Sequence, residues 1–357
     1  VPALLVGTGD EAELFIRATR ARDAEYRAVG LVSERGARVG RNIHGIDVLG
    51  AIDDLDAIVA DLRRRGQAPQ RLIITDHRLD GAVVRGLLDS ADRLGLAIAR
   101  IPRLTDLKDG IADDRLTLRP IAVEDLLGRP QMALDRSGME RLIGGRRVMV
   151  TGAGGSIGSE LVRQLADYAP AQMVLFEACE YNLYAIDQEM AGRPAPVNAV
   201  PVLGDVRDAA RVAEVMGRHR PDLVFHAAAL KHVPMVEHNP EEGLLTNAVG
   251  TRVVADTCVA AGVALMVQIS TDKAVNPTNV MGASMRVAEM YAQALDLAAG
   301  AGGGTRFVTV RFGNVLGSTG SVVPLFQKQL AAGGPLTVTH PEMTRYFMTV
   351  REAVELV

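Results

Sequence analysis

The chain has 357 residues, a length that calls for about two domains. It is 48 % apolar and 23 % charged, without single-residue tracts, which excludes a disordered or fibrous protein. A formal net charge of -4 gives no electrostatic case for nucleic acid or an anionic membrane surface as partner, and two cysteines, Cys179 and Cys258, make neither a disulfide framework nor a metal-ligand spacing, so no metal is expected.

In chain order, Pro2 to Gly7 predicts a buried strand, Asp10 to Ala21 a helix, Tyr26 to Val32 a strand, Leu55 to Arg65 a helix and Leu72 to Thr75 a strand. Such alternation specifies a parallel sheet covered by helices. The turn Gly7-Thr8-Gly9-Asp10-Glu11-Ala12 has the strand-to-helix context of a G-x-G-x-x-A dinucleotide turn. A tight turn kept for packing alone gives the same letters, so residues 1–101 read as a Rossmann-like domain of unknown ligand. From Pro102 to Gly145 the pattern loosens around Pro102, Pro120 and Pro130, which predicts a connector over 102–145.

A second and stronger series fills residues 146–357. Strands are predicted at Val148 to Thr151, Met173 to Phe176, Ala199 to Leu203, Leu223 to Ala227, Leu265 to Ser270 and Phe307 to Phe312, with helices between them. The fold class is therefore α/β: two Rossmann-like domains, each a parallel sheet with helices on both faces. The longest apolar stretch, Val253 to Ile269, is interrupted by Asp256 and reads as a helix followed by a strand, so this segment predicts no membrane contact. The chain begins at Val1 without a methionine and stops within a predicted helix over Val350 to Val357, which reads as a piece of a longer protein.

The run from Val148 to Gly158 is an apolar strand, a glycine turn and a helix start, with Gly152, Gly155 and Gly158 three residues apart. The first glycine permits the turn, the second lets backbone amides approach a pyrophosphate, and the third lets the helix, opening at Ser156 and Ile157, pack close to the sheet. The helix N-terminus adds positive potential for the phosphates. Glu177 follows the next strand about 20 residues on, where an acid accepts hydrogen bonds from both ribose hydroxyls of NAD and repels the 2′-phosphate of NADP. Gly204-Asp205-Val206 ends a strand where an adenine ring would lie, and His226-Ala227-Ala228-Ala229 ends another with small residues that leave room for a dinucleotide.

The TGxxGxxG turn, the HAAA strand end and the run STDKAVNPTNVMGAS, Ser270 to Ser284, resemble the extended short-chain dehydrogenase/reductase superfamily. Within it they resemble the large membrane-associated nucleoside-diphosphate-sugar 4,6-dehydratases of polysaccharide biosynthesis. Arg119-Pro120 and Glu124 to Arg129 resemble that type's connector. The resemblance implies a bound NAD, a UDP-sugar substrate of the UDP-N-acetylglucosamine type and a homo-oligomer. It also implies a cytoplasmic location, with the full-length parent anchored in the inner membrane by an amino-terminal segment outside this sequence.

The resemblance further implies roles for named residues. Hydride leaves sugar C4, water is lost across C5 and C6, and hydride returns to C6; oxidation at C4 is what makes the C5 proton acidic. Thr271 would hydrogen-bond the C4 hydroxyl, Asp272 would protonate the departing C6 hydroxyl, and Lys273 would remove the C5 proton. Asn247 falls with the cofactor residues. Lys231, His232, Asn314 and Val315 would line the sugar and pyrophosphate, and Arg345 would clamp a phosphate, since a guanidinium matches phosphate bidentately.

Ordinary members of the superfamily carry Tyr-x-x-x-Lys on the helix that follows; here Met281 and Met285 stand at those two places. Methionine at 281 matches the large dehydratases. Methionine at 285 departs from them, because a thioether neither carries charge nor donates a hydrogen bond to the nicotinamide ribose. Arg286 lies about 100° further around the helix and is a poor substitute. Two other functions use the same fold: a C4 epimerase or reductase, which normally needs the tyrosine missing at Met281, and a non-catalytic regulator that binds NAD and sugar nucleotide, which Met285 suits.

Overall fold

A computed structural model describes residues 1–19, 25–36, 38–101, 118, 136–300, 303–316, 318, 322–338, 340, 342 and 344–357. Most of the predicted connector, including Pro102, Arg119-Pro120 and Glu124 to Arg129, lies outside the described residues. The chain divides into two compact units, residues 1–131 and 132–357.

The first unit runs β1 (Pro2–Val6), α1 (Asp10–Ala18), β2 (Arg27–Ser33), β3 (Asn42–Ile43), β4 (Ile46–Ala51), α2 (Leu55–Arg64), β5 (Arg71–Ile74), α3 (Gly81–Leu94) and β6 (Ala97–Arg100). Its sheet order is β3-β4-β2-β1-β5-β6. Pairing is parallel except at the two-residue edge strand β3, which runs antiparallel to β4. Strand alternation explains the two covered faces. Leu4 and Val6 of β1 pack with Val59 and Leu62 of α2 and Leu87 of α3, while Ala3 and Leu5 pack with Phe15 and Ile16 of α1. All four β1 residues are fully buried, which is why this strand reads as a continuous apolar run.

The second unit opens with α4 (Arg136–Ile143) and continues β7 (Arg147–Thr151), α5 (Ser156–Ala166), β8 (Gln172–Glu177), α6 (Glu180–Ala191), β9 (Ala199–Leu203), α7 (Ala209–His219) and β10 (Leu223–His226). After β10 come α8 (Val233–His238), α9 (Pro240–Gly243), a π-helical stretch (Leu244–Val249), α10 (Gly250–Ala261), β11 (Leu265–Thr271) and α11 (Val280–Ala299). The unit closes with β12 (Arg306–Phe312), β13 (Asn314–Val315), α12 (Val322–Ala331), β14 (Phe347–Met348) and α13 (Val350–Glu355). All six predicted strands of this half are present, within a residue or so at each end. Its main sheet is wholly parallel, in the order β12-β11-β10-β7-β8-β9.

That order turns around between β7 and β10, and open α/β sheets bind ligands outside the strand ends at such a reversal. The two faces again divide by alternation. Val148 and Val150 join α5 and α6 through Leu161, Leu165 and Ile186, and Met149 joins α7 and α10 through Val212, Met216, Val254 and Cys258. Ile143 of α4 is fully buried in the first of these clusters, so this end of the predicted connector belongs to the second core. Cys258 is a buried apolar filler whose thiol burial makes hard to ionise. No helix among the described residues is long and apolar enough to cross a membrane.

Candidate active site

The glycine turn between β7 and α5 is shaped by steric limits that its sequence meets. Gly152 has φ +65, and a Cβ there would stand 2.8 Å from the Ala228 backbone nitrogen and 2.9 Å from the Ala227 carbonyl carbon. A Cβ on Gly158 would stand 1.9 Å from the Gly152 carbonyl oxygen. The turn therefore closes on itself and on Ala227 and Ala228, just past the end of β10. Gly155 occupies the N-cap of α5 with extended backbone and has no side chain to cap the helix. The first turn of α5 begins at Ser156 and Ile157, where the positive end of the helix dipole favours a ligand anion.

Glu177 ends β8 beside this turn and is buried. Its carboxylate accepts the Gly154 amide (3.0 Å) and the Ala178 and Cys179 amides (both 2.9 Å). A carboxylate has about four acceptor positions, so these bonds leave about one for a ribose hydroxyl rather than the two expected from sequence. Asp205 accepts from the Arg207 amide and guanidinium, at 2.7–2.9 Å, and hydrogen bonding from Arg207 holds its carboxyl below the usual range. Val206 is buried in the core, filling the space that a Cβ on Gly250 would need.

Asn247 is fully buried within the π-helical stretch. Its side chain donates to the Leu230 carbonyl and the Ser284 hydroxyl, both at 3.0 Å, and accepts the Leu230 amide at 2.7 Å. Asn247 thereby pins the segment that leads into Lys231 and His232. Partial burial lowers the pKa of Lys231, and burial followed by the Lys231 charge lowers that of His232.

His226 is a residue whose bonding the sequence did not reveal. Its ring is 2 % exposed and sits between the Thr151 hydroxyl (2.6 Å) and the Thr251 hydroxyl (3.0 Å). The Thr251 hydroxyl donates its one proton to the Asn247 carbonyl at 2.6 Å, so it accepts from His226 Nε2–H, and Nδ1 accepts from Thr151. The ring is thus a neutral connector between the glycine turn and the Asn247 segment. Burial pushes its pKa down to about 4 from the ordinary 6.5. The unfolded chain takes up this proton first, so the stability His226 contributes is complete above about pH 6.5 and drains as pH falls towards 4. Denaturant unfolding of the native chain and of His226→Asn at stepped pH should show the excess loss in the native chain. Its size is on the order of 3 kcal/mol across that window. Parallel curves would remove His226 as the cause.

The three polar residues predicted for chemistry come together at the end of β11, two strands from the glycine turn. The Thr271 hydroxyl donates to Asp272 Oδ1 (2.9 Å) and accepts the Lys273 amide (3.3 Å). Lys273 Nζ donates to Asp272 Oδ1 (3.0 Å) and to Asn314 Oδ1 (3.2 Å). Asn314 thus joins the cluster by holding Lys273. A Cβ on Gly313 would lie 3.7 Å from Asp272 Oδ2, so the two loops meet backbone against side chain. Helix α11 also presses on this turn, since a Cβ on Gly282 would fall 2.2 Å from the Lys273 carbonyl oxygen.

Met281 and Met285, 2 % and 6 % exposed, pack with Val236 and Ala274 in a small apolar cluster next to that turn. Arg286 points elsewhere, donating to Glu289 Oε2 at 3.1 Å. Val315 is buried in the short β13–β14 pairing. Arg345 leads into β14 on the exposed surface and donates to the Thr344 carbonyl at 3.0 Å. Among the described residues no cluster of side chains has the make-up of a metal site.

The chain belongs to the polysaccharide biosynthesis protein family, whose pattern matches residues 148–357. This is a family of nucleotide-sugar dehydratase and epimerase homologues on the extended short-chain dehydrogenase/reductase fold. The chain is 40 % identical, over 99 % of its length, to the capsular polysaccharide biosynthesis protein CapD of Staphylococcus aureus, of which it spans 58 %. It is 35 % identical to the inverting UDP-N-acetylglucosamine 4,6-dehydratase of Campylobacter jejuni over 60 % of this chain and 63 % of that one. Among solved structures, the dTDP-glucose 4,6-dehydratase DesIV of Streptomyces venezuelae, with NAD and TYD bound, matches at 26 % identity and a TM-score of 0.51. That match covers 57 % of this chain and 68 % of DesIV.

Proposed function

We propose that residues 146–357 bind NAD and catalyse 4,6-dehydration of a UDP-sugar, UDP-N-acetylglucosamine in particular, within a longer homo-oligomeric protein. The observation that carries this reading is the hydrogen-bonded set Thr271, Asp272, Lys273 and Asn314 at the C-terminal edge of a sheet that also bears the glycine turn. It is supported by the NAD in the DesIV structure and by the name of the Campylobacter relative.

The residues present fit a dinucleotide. A Cβ would fill the cradle at Gly152 or Gly158, the start of α5 lies beside it with a glycine at the N-cap, and Glu177 keeps a carboxylate where NADP would place a second negative charge. Gly152, Gly155, Ser156, Ile157 and Gly158 would hold the pyrophosphate, with Ala227, Ala228 and Ala229 beside it. When bound, NAD supplies the hydride acceptor for sugar C4 and the hydride donor for C6.

The chain's own residues do the rest. Thr271 orients the C4 hydroxyl; with the proton of the Lys273–Asp272 hydrogen bond moved onto Asp272, Asp272 delivers it to the C6 oxygen as that leaves as water, and the freed Lys273 amine takes the C5 proton once the C4 ketone has acidified it, which restores the pair. Lys231, His232 and Asn314 line the sugar side, and Arg345 pairs with a phosphate. The second reading is a UDP-sugar C4 epimerase, an activity other relatives carry in name. The methionine at 281 opposes it, since proton exchange at a C4 hydroxyl normally uses a tyrosine there.

Two measurements test the proposal together. NAD should be found in the supernatant of denatured protein, because a cycle that regenerates the cofactor never requires its release. Incubation with UDP-N-acetylglucosamine should yield a sugar nucleotide lighter by one water. NADP in the supernatant, or a protein that loads no dinucleotide, contradicts the cofactor assignment. An isomer of unchanged mass contradicts the dehydratase.

A further inference from the structure

Behind the Thr271-Asp272-Lys273 turn lies a buried carboxylate outside the predicted site. Glu289, on α11, has a side chain only 4 % exposed. Its Oε1 accepts the Ser270 hydroxyl (2.5 Å) and Arg311 Nε (2.7 Å), and its Oε2 accepts Arg311 Nη2 and Arg286 Nη1 (3.1 Å). Burial pushes its carboxyl up, but the bonds from Arg311, Ser270 and Arg286 outweigh burial and keep it below the usual range. It is therefore an anion at neutral pH, held by a fork and a hydroxyl in the geometry that makes charge-assisted bonds most directional.

The position of this anion is what matters. Ser270 and Arg311 are register partners on β11 and β12, so Glu289 ties one rung of the ladder to the helix that packs on it. The next rung is Thr271 with Phe312. Immediately beyond it the two chains become Asp272-Lys273 and Gly313-Asn314, where Lys273 Nζ meets Asn314 Oδ1. Strand β12 is the edge of the sheet, and among the described residues no strand pairs with its far side to fix it. The same helix touches the Lys273 carbonyl through Gly282, so Glu289 and Gly282 hold the turn at two points along α11.

We propose that Glu289 is a positioning residue of the reaction: by clamping Ser270 and Arg311 to α11 it sets the separation of the Lys273 and Asn314 loops. This rests on the dehydratase reading for its effect on turnover, but not for its effect on Lys273. Glu289→Gln keeps the shape and removes one acceptor oxygen and the charge, so Arg311 loses its fork. Because misplacement by about 1 Å costs roughly 10²-fold in rate, kcat should fall by about that factor while KM for UDP-N-acetylglucosamine stays within about twofold. Arg311→Lys, which keeps the charge, should retain more turnover than Arg311→Gln.

The sequence contains four lysines, Lys108, Lys231, Lys273 and Lys328, which allows a readout independent of activity. After reductive methylation with ¹³C-formaldehyde, Lys273→Arg identifies the Lys273 methyl signal. In Glu289→Gln that signal should move while those of Lys231 and Lys328 stay. A Lys273 signal at its native position in the folded variant, or equal loss in Arg311→Lys and Arg311→Gln, overturns the proposal. If Glu289→Gln does not fold, Arg311→Lys is read by the same signal. Absence of turnover in the native chain and in Met285→Lys counts against the dehydratase reading, and the Lys273 signal still decides the clamp.

Discussion

Asp272→Asn is expected to abolish dehydration while leaving binding of the sugar nucleotide nearly intact. The amide keeps the size and planarity of the carboxyl and can still accept from Thr271 and Lys273, which bond Asp272 Oδ1 at 2.9 and 3.0 Å. What it loses is a proton to give to the departing C6 oxygen. Positioned acid–base groups contribute roughly 10²- to 10⁴-fold in rate, so the loss should fall in kcat. A rate within a few-fold of the native chain would remove Asp272 from the mechanism.

The second large effect is expected at Met285, in the opposite direction. A lysine at this helix position would reach the ribose hydroxyls beside the nicotinamide, and methionine of similar length does neither job. Charge-assisted hydrogen bonds contribute roughly 1.5 to 3 kcal/mol each. Met285→Lys should therefore raise the single-turnover rate at least roughly tenfold, a barrier change of about 1.4 kcal/mol. The structure adds a condition that sequence alone did not supply. Met285 is buried with Val236, Ala274 and Met281, so the lysine stem must stay in this cluster while its ammonium leaves it, and folding has to be checked beside the rate. Equal, substantial rates in both forms would show that the ribose is held by other means. No activity in either form would favour the regulator.

What the sequence disclosed, and what it hid, follows from how far each signal reaches along the chain. The six strands of the second sheet are short apolar runs with helical segments between them, and both faces of that sheet are covered, so they stood out. Helix α3 has a regular buried face at Gly81, Val84, Leu87 and Ala91, but Gly81 and Gly86 lower its helix propensity, β4 contains Gly50, and β6 is four residues long; these three elements were not read. The π-helical turn at Leu244–Val249 has no sequence signature, so the bonds from Asn247 to Leu230 and Ser284 were not legible. The Glu289 clamp joins three elements, with Ser270 19 residues before Glu289 and Arg311 22 residues after it. Nothing local to Glu289, Arg311 or Ser270 distinguishes them from a helical acid, a strand cation and a strand hydroxyl. Conversely, the spacing of Gly152, Gly155 and Gly158 was legible because each answers a steric demand within one turn.

The most direct test of the account follows one hydrogen. UDP-N-acetylglucosamine carrying deuterium at C4 is incubated with the protein, native and Met285→Lys, and the product is examined by nuclear magnetic resonance. A 4-keto product with the deuterium at C6 is expected, because the hydride taken from C4 is the one returned after water has left. Deuterium retained at C4 of an epimer, or a 4-keto product with no deuterium at C6, would contradict it.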